Sequence, residues 1–318
     1  MRLFRSEFLR ARSRRLVPMV IVGGLLAIVV SLTIAAFNSH PPSQTALDRA
    51  QAGHDQQVQR CLNGKYLGGN GQLPTRYGSL EEYCQDNVST YVAEAGMQLR
   101  DLPEILQGIS TFVILLGALL GASLGGADWT SDTMTTLLTW EPRRIRVILT
   151  RTLVVVLVAF AITIALQVIF SAVFWLGAST RGTTAFTSSG LWGDAGRTML
   201  RTSGVATAFA VITLSIAMIG RSTVSSLGAL FGYLILFEGV IAGFRPSIQG
   251  WLLVRAGIVV VSQTPILDYG SGSYSYSGPN YPEQIVLMSV ARADAVLGAY
   301  VVALLVLALF VFRRRDVS

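Results

Sequence analysis

A run of polar and charged residues, 128–151, separates two long apolar segments and has the sequence DWTSDTMTTLLTWEPRRIRVILTR. It begins with the carboxylates of Asp128 and Asp132 and later carries the adjacent arginines Arg143 and Arg144. Carboxylates and guanidinium groups form charge-assisted hydrogen bonds where they meet. The run therefore predicts ion pairing, either inside this segment or with the surface of another protein.

Between its charged ends, the same run has a helical pattern. Met134, Leu137 and Leu138 would share one face of a helix. Asp132 can accept hydrogen bonds from the free backbone N–H groups at the start of that helix, and Pro142 would end it. We predict a short amphipathic helix; an ordinary interfacial helix with basic membrane anchors is the alternative interpretation.

The only lysine of the chain, Lys65, excludes one kind of chemistry. A P-loop requires Gly-x4-Gly-Lys-Ser/Thr, because the lysine must reach the nucleotide phosphates. Lys65 stands in CLNGKYLGG, where a tyrosine follows it. This chain therefore cannot bind ATP in the P-loop manner, and any ATP that drives it must bind to another chain.

Both cysteines of the chain, Cys61 and Cys84, lie in the polar segment 38–104. If this segment is extracytoplasmic, as the arginine distribution described below predicts, its two cysteines favour a disulfide. Two unpaired thiols are the alternative, and a metal site with His40 and His54 of the same segment is a weaker one. We predict the disulfide and no metal site.

The composition is that of a membrane protein. Of 318 residues, 52% are hydrophobic and 14% are charged, whereas soluble domains carry about 25% charged residues. The net charge of +7 comes from arginines beside apolar runs and not from a basic face, so we expect lipid and no nucleic acid as a partner. The fold predicted is an all-α polytopic membrane protein with six spans, at 16–37, 105–127, 147–176, 202–219, 225–244 and 293–312.

The arginines also predict the orientation, because short cytoplasmic loops are enriched in basic residues. A cytoplasmic N terminus puts these arginines on one side: Arg2, Arg5, Arg10, Arg12, Arg14, Arg15, Arg143, Arg144, Arg146, Arg151, Arg221, Arg313, Arg314 and Arg315. We predict a multi-pass protein of the cytoplasmic membrane with both termini cytoplasmic. A signal peptide is the alternative for the first apolar run, which is longer than a usual signal core.

The segments between the spans then follow. We predict an extracytoplasmic loop domain over 38–104, a cytoplasmic loop over 128–146 and a cytoplasmic tail over 313–318. The remaining segment, 245–292, contains an apolar stretch that is interrupted by Arg255 and is short for a span. We predict a re-entrant or interfacial helical region there, on the extracytoplasmic side.

Polar and small residues inside the spans are further candidates. Glu238 is ionisable within a span, so it is a candidate substrate contact or proton site. A structural pair with an arginine, or a position close to the outer membrane interface, is equally compatible with the sequence. Gln167 favours an interhelical hydrogen bond. Gly117, Gly121 and Gly125 recur every four residues and permit close helix contact, within the chain or with a second copy.

With these residues assembled, the chain resembles a known family. The segment GADWTSDTMTTLLTWEPRRIRVILTR resembles the corresponding region of type-2 ABC exporter permeases, in which an acid ends the second span and a Thr-Leu-rich coupling helix follows. Asp128 stands where the family usually has Glu, and Arg151 stands for a usual Lys or Arg. Residues 1–15 resemble the family's amphipathic elbow helix, and the last residues resemble its usual ending.

The resemblance implies that the chain is the transmembrane subunit of an exporter, with no enzymatic activity and no bound cofactor of its own. ATP and magnesium would bind to a partner ATPase subunit, and a second permease copy or a related permease would complete the pathway. The implied contact with the ATPase consists of Asp128, Trp129, Asp132, Thr133, Leu137, Leu138, Pro142, Arg143 and Arg144. Two alternatives are a proton-coupled secondary transporter that uses Glu238 and a membrane-anchored sensor or assembly protein built on 38–104.

Overall fold

The computed structural model describes residues 6–10, 14–65, 78–88, 90, 92, 95–130, 144–268 and 285–314. Six helical segments in these ranges are long and apolar enough to cross a membrane. They are Leu16–Phe37, Leu99–Ala127, Ile145–Arg181, Leu191–Gly220, Thr223–Ile241 and Val290–Arg314. The prediction of a six-helix, multi-pass membrane protein is therefore confirmed.

The long helices have the following labels and bounds. They are α1 (Leu16–Phe37), α4 (Leu102–Thr130), α5 (Arg144–Arg181), α6 (Leu191–Gly220), α7 (Thr223–Tyr233) and α9 (Val290–Arg314). Helix α7 continues into a π-helical stretch, Leu234–Ile241, and one further turn, Ala242–Phe244. Helices α5 and α6 extend well beyond their apolar cores, because polar turns at their ends remain helical.

Shorter elements connect the spans. Helices α2 (Gln44–Arg60) and α3 (Leu80–Asn87) follow α1, and each begins at a serine whose side chain accepts a backbone N–H. A 3₁₀ turn (Pro246–Trp251) and the helix α8 (Leu253–Ser262) precede the strands β1 (Ile266–Asp268) and β2 (Ile285–Met288). The two strands pair antiparallel. The sequence prediction named helices alone, so this small sheet is an addition to it.

The chain forms two compact units. The first comprises Met1–Gly24, Gln107–Leu166 and Thr198–Ser318. Its core is made by apolar side chains of the long helices together with α8, among them Ala118, Val205, Phe209, Ile212, Leu230, Leu253, Val261 and Leu297. Helix α8, which lies in the region predicted as re-entrant or interfacial, is thus part of the packed core.

Within this first unit, helices α4 and α6 approach with backbones in contact. A Cβ added at Gly117 would lie 2.8 Å from the carbonyl carbon of Ala206, and one at Gly121 would lie 2.6 Å from that of Ala210. Thr213 of α6 donates to the backbone oxygen of Ala118 at 2.8 Å. The glycines therefore pack within the chain, which decides the question that their spacing left open.

The second unit comprises Leu25–Leu106 and Gln167–Arg197. Cys61 and Cys84 form a disulfide with a Cα–Cα distance of 5.7 Å, which confirms the predicted pairing. The bridge joins the C-terminal end of α2 to α3, and both cysteines are buried with Val58. Ser39 donates to the backbone oxygen of Arg181 and accepts the N–H of Met97, so the segment after α1 is held by the end of α5.

Candidate coupling site at the helix ends flanking residues 131–143

Trp129, near the end of α4, contacts two other helix ends. The guanidinium of Arg221 lies 4.9 Å from the indole centroid. The ring of Phe312, near the end of α9, meets the indole edge-on at 6.1 Å. Arg221 lies in the turn between α6 and α7, and its φ of 54° puts its backbone in the left-handed conformation. In this conformation its guanidinium lies over the indole of Trp129. The end of α4 is thus joined to that turn and to α9.

Arg151 joins the two helices that flank residues 131–143. Its side chain is 4% exposed, and its Nε donates to the backbone oxygen of Leu124 at 3.1 Å. The Nη2 atom of the same guanidinium donates to that oxygen as well. Leu124 lies in the last turns of α4 and Arg151 in the first turns of α5. A buried guanidinium needs such acceptors, since it cannot be deprotonated in a protein.

Three charged residues near the N terminus lie beside Arg151 and Leu124. Glu7 is buried and pairs with Arg10 at 3.2 Å. Glu7, Arg10 and Arg14 line a small cavity with Leu124 and Arg151, of about 10 Å³, which is room for roughly one water molecule. Burial lowers the pKa of the Arg14 guanidinium, and the positive charges of Arg151 and Arg10 lower it further. Three arginines, Arg10, Arg14 and Arg151, therefore lie close together around this cavity.

The predicted coupling residues are distributed as follows. Among the predicted coupling residues, Trp129 alone has a side chain that the structure describes. Of Asp128 and Arg144 the structure describes the helical backbone alone. The remaining predicted residues lie outside the described residues: Asp132, Thr133, Leu137, Leu138, Pro142 and Arg143. The contacts described above therefore belong to α4, which precedes residues 131–143, and to α5, which follows them.

No family model matches this chain, and a search of curated proteins finds no match either. The site must therefore be interpreted from its own geometry. Within the described residues, no group of three or more His, Cys, Asp and Glu side chains is arranged to hold a metal ion.

Glu238 lies in the π-helical stretch and contacts the start of α8. Its Oε1 accepts the backbone N–H of Val254 at 2.6 Å. The hydroxyl of Tyr233 accepts the neighbouring N–H of Leu253 at 2.9 Å. The first N–H groups of a helix have no partner within the helix, so these two side chains supply the cap that α8 lacks locally. The structure thus gives Glu238 a partner on the backbone.

Gln167 belongs to the second compact unit and is 1% exposed. Its backbone oxygen accepts the hydroxyl of Ser171 one turn later, at 2.9 Å. Gln167 and Glu238 are therefore buried or half-buried in different units.

Sequence reasoning did not assign the roles of Arg151, Arg221 and Tyr233. Arg151 carried a usable signal, because an arginine that is followed at once by a long apolar helix must find acceptors. Arg221 counted toward the positive-inside bias alone. Nothing in the sequence connects Tyr233 to Leu253, since the two meet through the packing of α8 on α7.

Proposed function

We propose that this chain is the transmembrane permease subunit of an ABC exporter. In this proposal, residues 128–146 contain the coupling helix that meets a separate ATPase subunit. The observation that carries the proposal is the hydrogen bonding of Arg151 to Leu124, which joins the helices on either side of that segment. Force applied to the segment would move α4 and α5 together, as a rigid body.

Trp129 extends this connection. It packs against Arg221 and Phe312, so displacement of the end of α4 would reach the α6–α7 turn and α9. A coupling device needs such continuous packing, because packed interiors transmit strain and do not absorb it. The order of charges along the sequence is also suitable for a protein partner, since Asp128, Asp132, Arg143 and Arg144 supply both signs.

The finer topology belongs to the same proposal. Both termini are cytoplasmic in the cytoplasmic membrane, residues 1–15 form an elbow helix, and 245–292 form a re-entrant region on the extracytoplasmic side. The ATPase subunit binds ATP and magnesium, and a second permease copy or a related permease completes the pathway. Lys65 outside any P-loop pattern is the sequence argument for a separate ATPase.

The first test is purification of the full chain from its native membrane in mild detergent. We expect a stoichiometric partner with a P-loop and ATPase activity. The second test replaces both Leu137 and Leu138 with Asp in that complex. The matched control replaces both Thr136 and Thr139 with Asp, which adds the same two charges to the opposite face of the predicted helix. We expect loss of the partner or of its stimulated ATPase rate in the leucine variant alone, because the apolar face of the helix would meet the ATPase.

Two results would contradict this proposal. One is a leucine variant that keeps the partner and the ATPase rate of the control. The other is transport driven by a pH gradient in liposomes that contain this chain and no ATP. The hydrogen bond from Val254 to Glu238 supports a structural role for that carboxylate, so we do not propose the proton-coupled mechanism.

A further inference from the structure

The first compact unit contains an open groove along α9 that is separate from the coupling site. Its volume is about 550 Å³, within the range of roughly 300–1,000 Å³ of small-molecule clefts. One wall is the 3₁₀ turn that ends at Trp251, and the floor is the first half of α9. It lies at the end of α9 opposite to Arg313 and Arg314, which occupy the last turn.

The floor of the groove is apolar and consists largely of alanines. Ala295, Ala299 and Ala303 line it and follow one another at four-residue intervals, so they share one face of the helix. Their side chains end at Cβ, which leaves a trough between bulkier neighbours. From Arg292 to Ala303 the trough extends for about 16 Å at ~1.5 Å per residue, roughly half of a ~30 Å hydrocarbon core. That is the depth of one leaflet.

The mouth of the groove is cationic and held in position. The guanidinium of Arg292 lies 4.6 Å from the ring centroid of Trp251 and donates to the backbone oxygen of Leu287 at 3.2 Å. The hydroxyl of Tyr300 donates to the backbone oxygen of Trp251 at 3.3 Å, which joins the wall to the floor. A Cβ at Gly250 would lie 3.2 Å from the guanidinium carbon, so glycine leaves room for this arginine.

Arg292 keeps charge available for a ligand. Among the described residues, none places a carboxylate within ion-pair distance of it. A guanidinium has five N–H donors, and the contacts with Leu287 and Trp251 use one donor and one face. Trp251 is 60% exposed, and tryptophan beside a span end is typical of the membrane interface.

We propose that this groove binds one anionic phospholipid, with the headgroup phosphate on Arg292 and one acyl chain along the alanine trough. The occupant follows from charge and shape: a single cationic mouth opens onto an apolar channel of leaflet depth. Arginine suits phosphate, because its planar fork can donate two parallel hydrogen bonds. The binding needs neither ATP nor an ATPase subunit, so it is independent of the proposed transport function.

The test uses the purified full chain in detergent and native mass spectrometry. Phosphatidylglycerol and phosphatidylcholine with identical acyl chains are titrated separately, so that their difference reports the headgroup charge. We expect one phosphatidylglycerol to bind about tenfold more tightly, or ~1.4 kcal/mol, because the trimethylammonium group of phosphatidylcholine opposes the attraction of its own phosphate for the guanidinium. Arg292→Gln should remove this difference between the two lipids, whereas Arg245→Gln, at an exposed arginine of the neighbouring turn, should keep it.

A second pair of variants tests the trough without touching the charge. Ala299→Leu fills the floor and should weaken both lipids, whereas Gly298→Leu places the same side chain one position away, where a Cβ meets nothing within 4 Å. This pair of variants tests lipid binding in the trough even if Arg292→Gln fails to fold. Equal binding of the two lipids, equal loss in both arginine variants, or a change in subunit number caused by Ala299→Leu would overturn the proposal. The last result would assign the groove to a second copy.

Discussion

Replacement of Gly121 with alanine tests the packing of α4 on α6 directly. The added Cβ would lie 2.6 Å from the carbonyl carbon of Ala210 and 2.5 Å from Oγ1 of Thr213. Both distances are well inside van der Waals contact, and the first neighbour is backbone, which cannot rotate away. Helix α6 must therefore shift, and the hydrogen bond from Thr213 to Ala118 would be strained with it.

The magnitude follows from opposing effects. Overpacking of a filled interior costs about 1–3 kcal/mol, sometimes more. A hydrogen bond between membrane helices adds ~0.6 kcal/mol when it is lost. The helix propensity of alanine over glycine offsets up to ~1 kcal/mol. We therefore expect Gly121→Ala to lower the free energy of unfolding by about 1–2 kcal/mol.

The matched control is Gly108→Ala in the same helix, where a Cβ meets nothing within 4 Å. It should leave the free energy of unfolding unchanged or raise it by up to ~1 kcal/mol. The measurement is unfolding of the purified protein by increasing mole fraction of SDS in mixed micelles, followed by circular dichroism. Equal unfolding free energies for the two variants would refute the close α4–α6 contact.

Three further predictions concern other contacts. Reduction of the Cys61–Cys84 bridge, or replacement of both cysteines with serine, should destabilise the second unit by about 3 kcal/mol. The measurement is the rate of proteolysis between α2 and α3, which should increase. An unchanged cleavage rate would count against a stabilising role of the disulfide. Arg151→Met should lower the free energy of unfolding by about 1–3 kcal/mol, because the buried backbone oxygen of Leu124 loses its donor. The yield of monodisperse protein should fall, and Arg151→Lys should recover part of that yield. Glu238→Gln should unfold at the wild-type temperature, because an amide oxygen still accepts the N–H of Val254. Glu238→Leu should lower the free energy of unfolding by about 1–3 kcal/mol, because that N–H loses its acceptor. Equal unfolding temperatures of the two variants would contradict the capping role.

Much of the coarse architecture was predictable from local patterns. Runs of apolar residues indicate the six long helices, because a span needs about 20 such residues whatever it packs against. Cys61 and Cys84 were predictable as a pair because no other cysteine competes for either. The limits of α5 and α6 were less predictable, since hydropathy marks the apolar core and not the polar turns that continue the helix.

The sequence by itself determined which segments can enter a membrane and which residues have no choice of partner, because those properties depend on composition and count. Only the tertiary structure decided that Gly117 and Gly121 face Ala206 and Ala210 of the same chain, since their spacing permits close approach to any helix. It also decided that Tyr233 and Glu238 cap α8, and that Arg151 binds Leu124. Each of these pairs joins residues that are far apart along the chain, and only packing brings them within hydrogen-bonding or van der Waals distance.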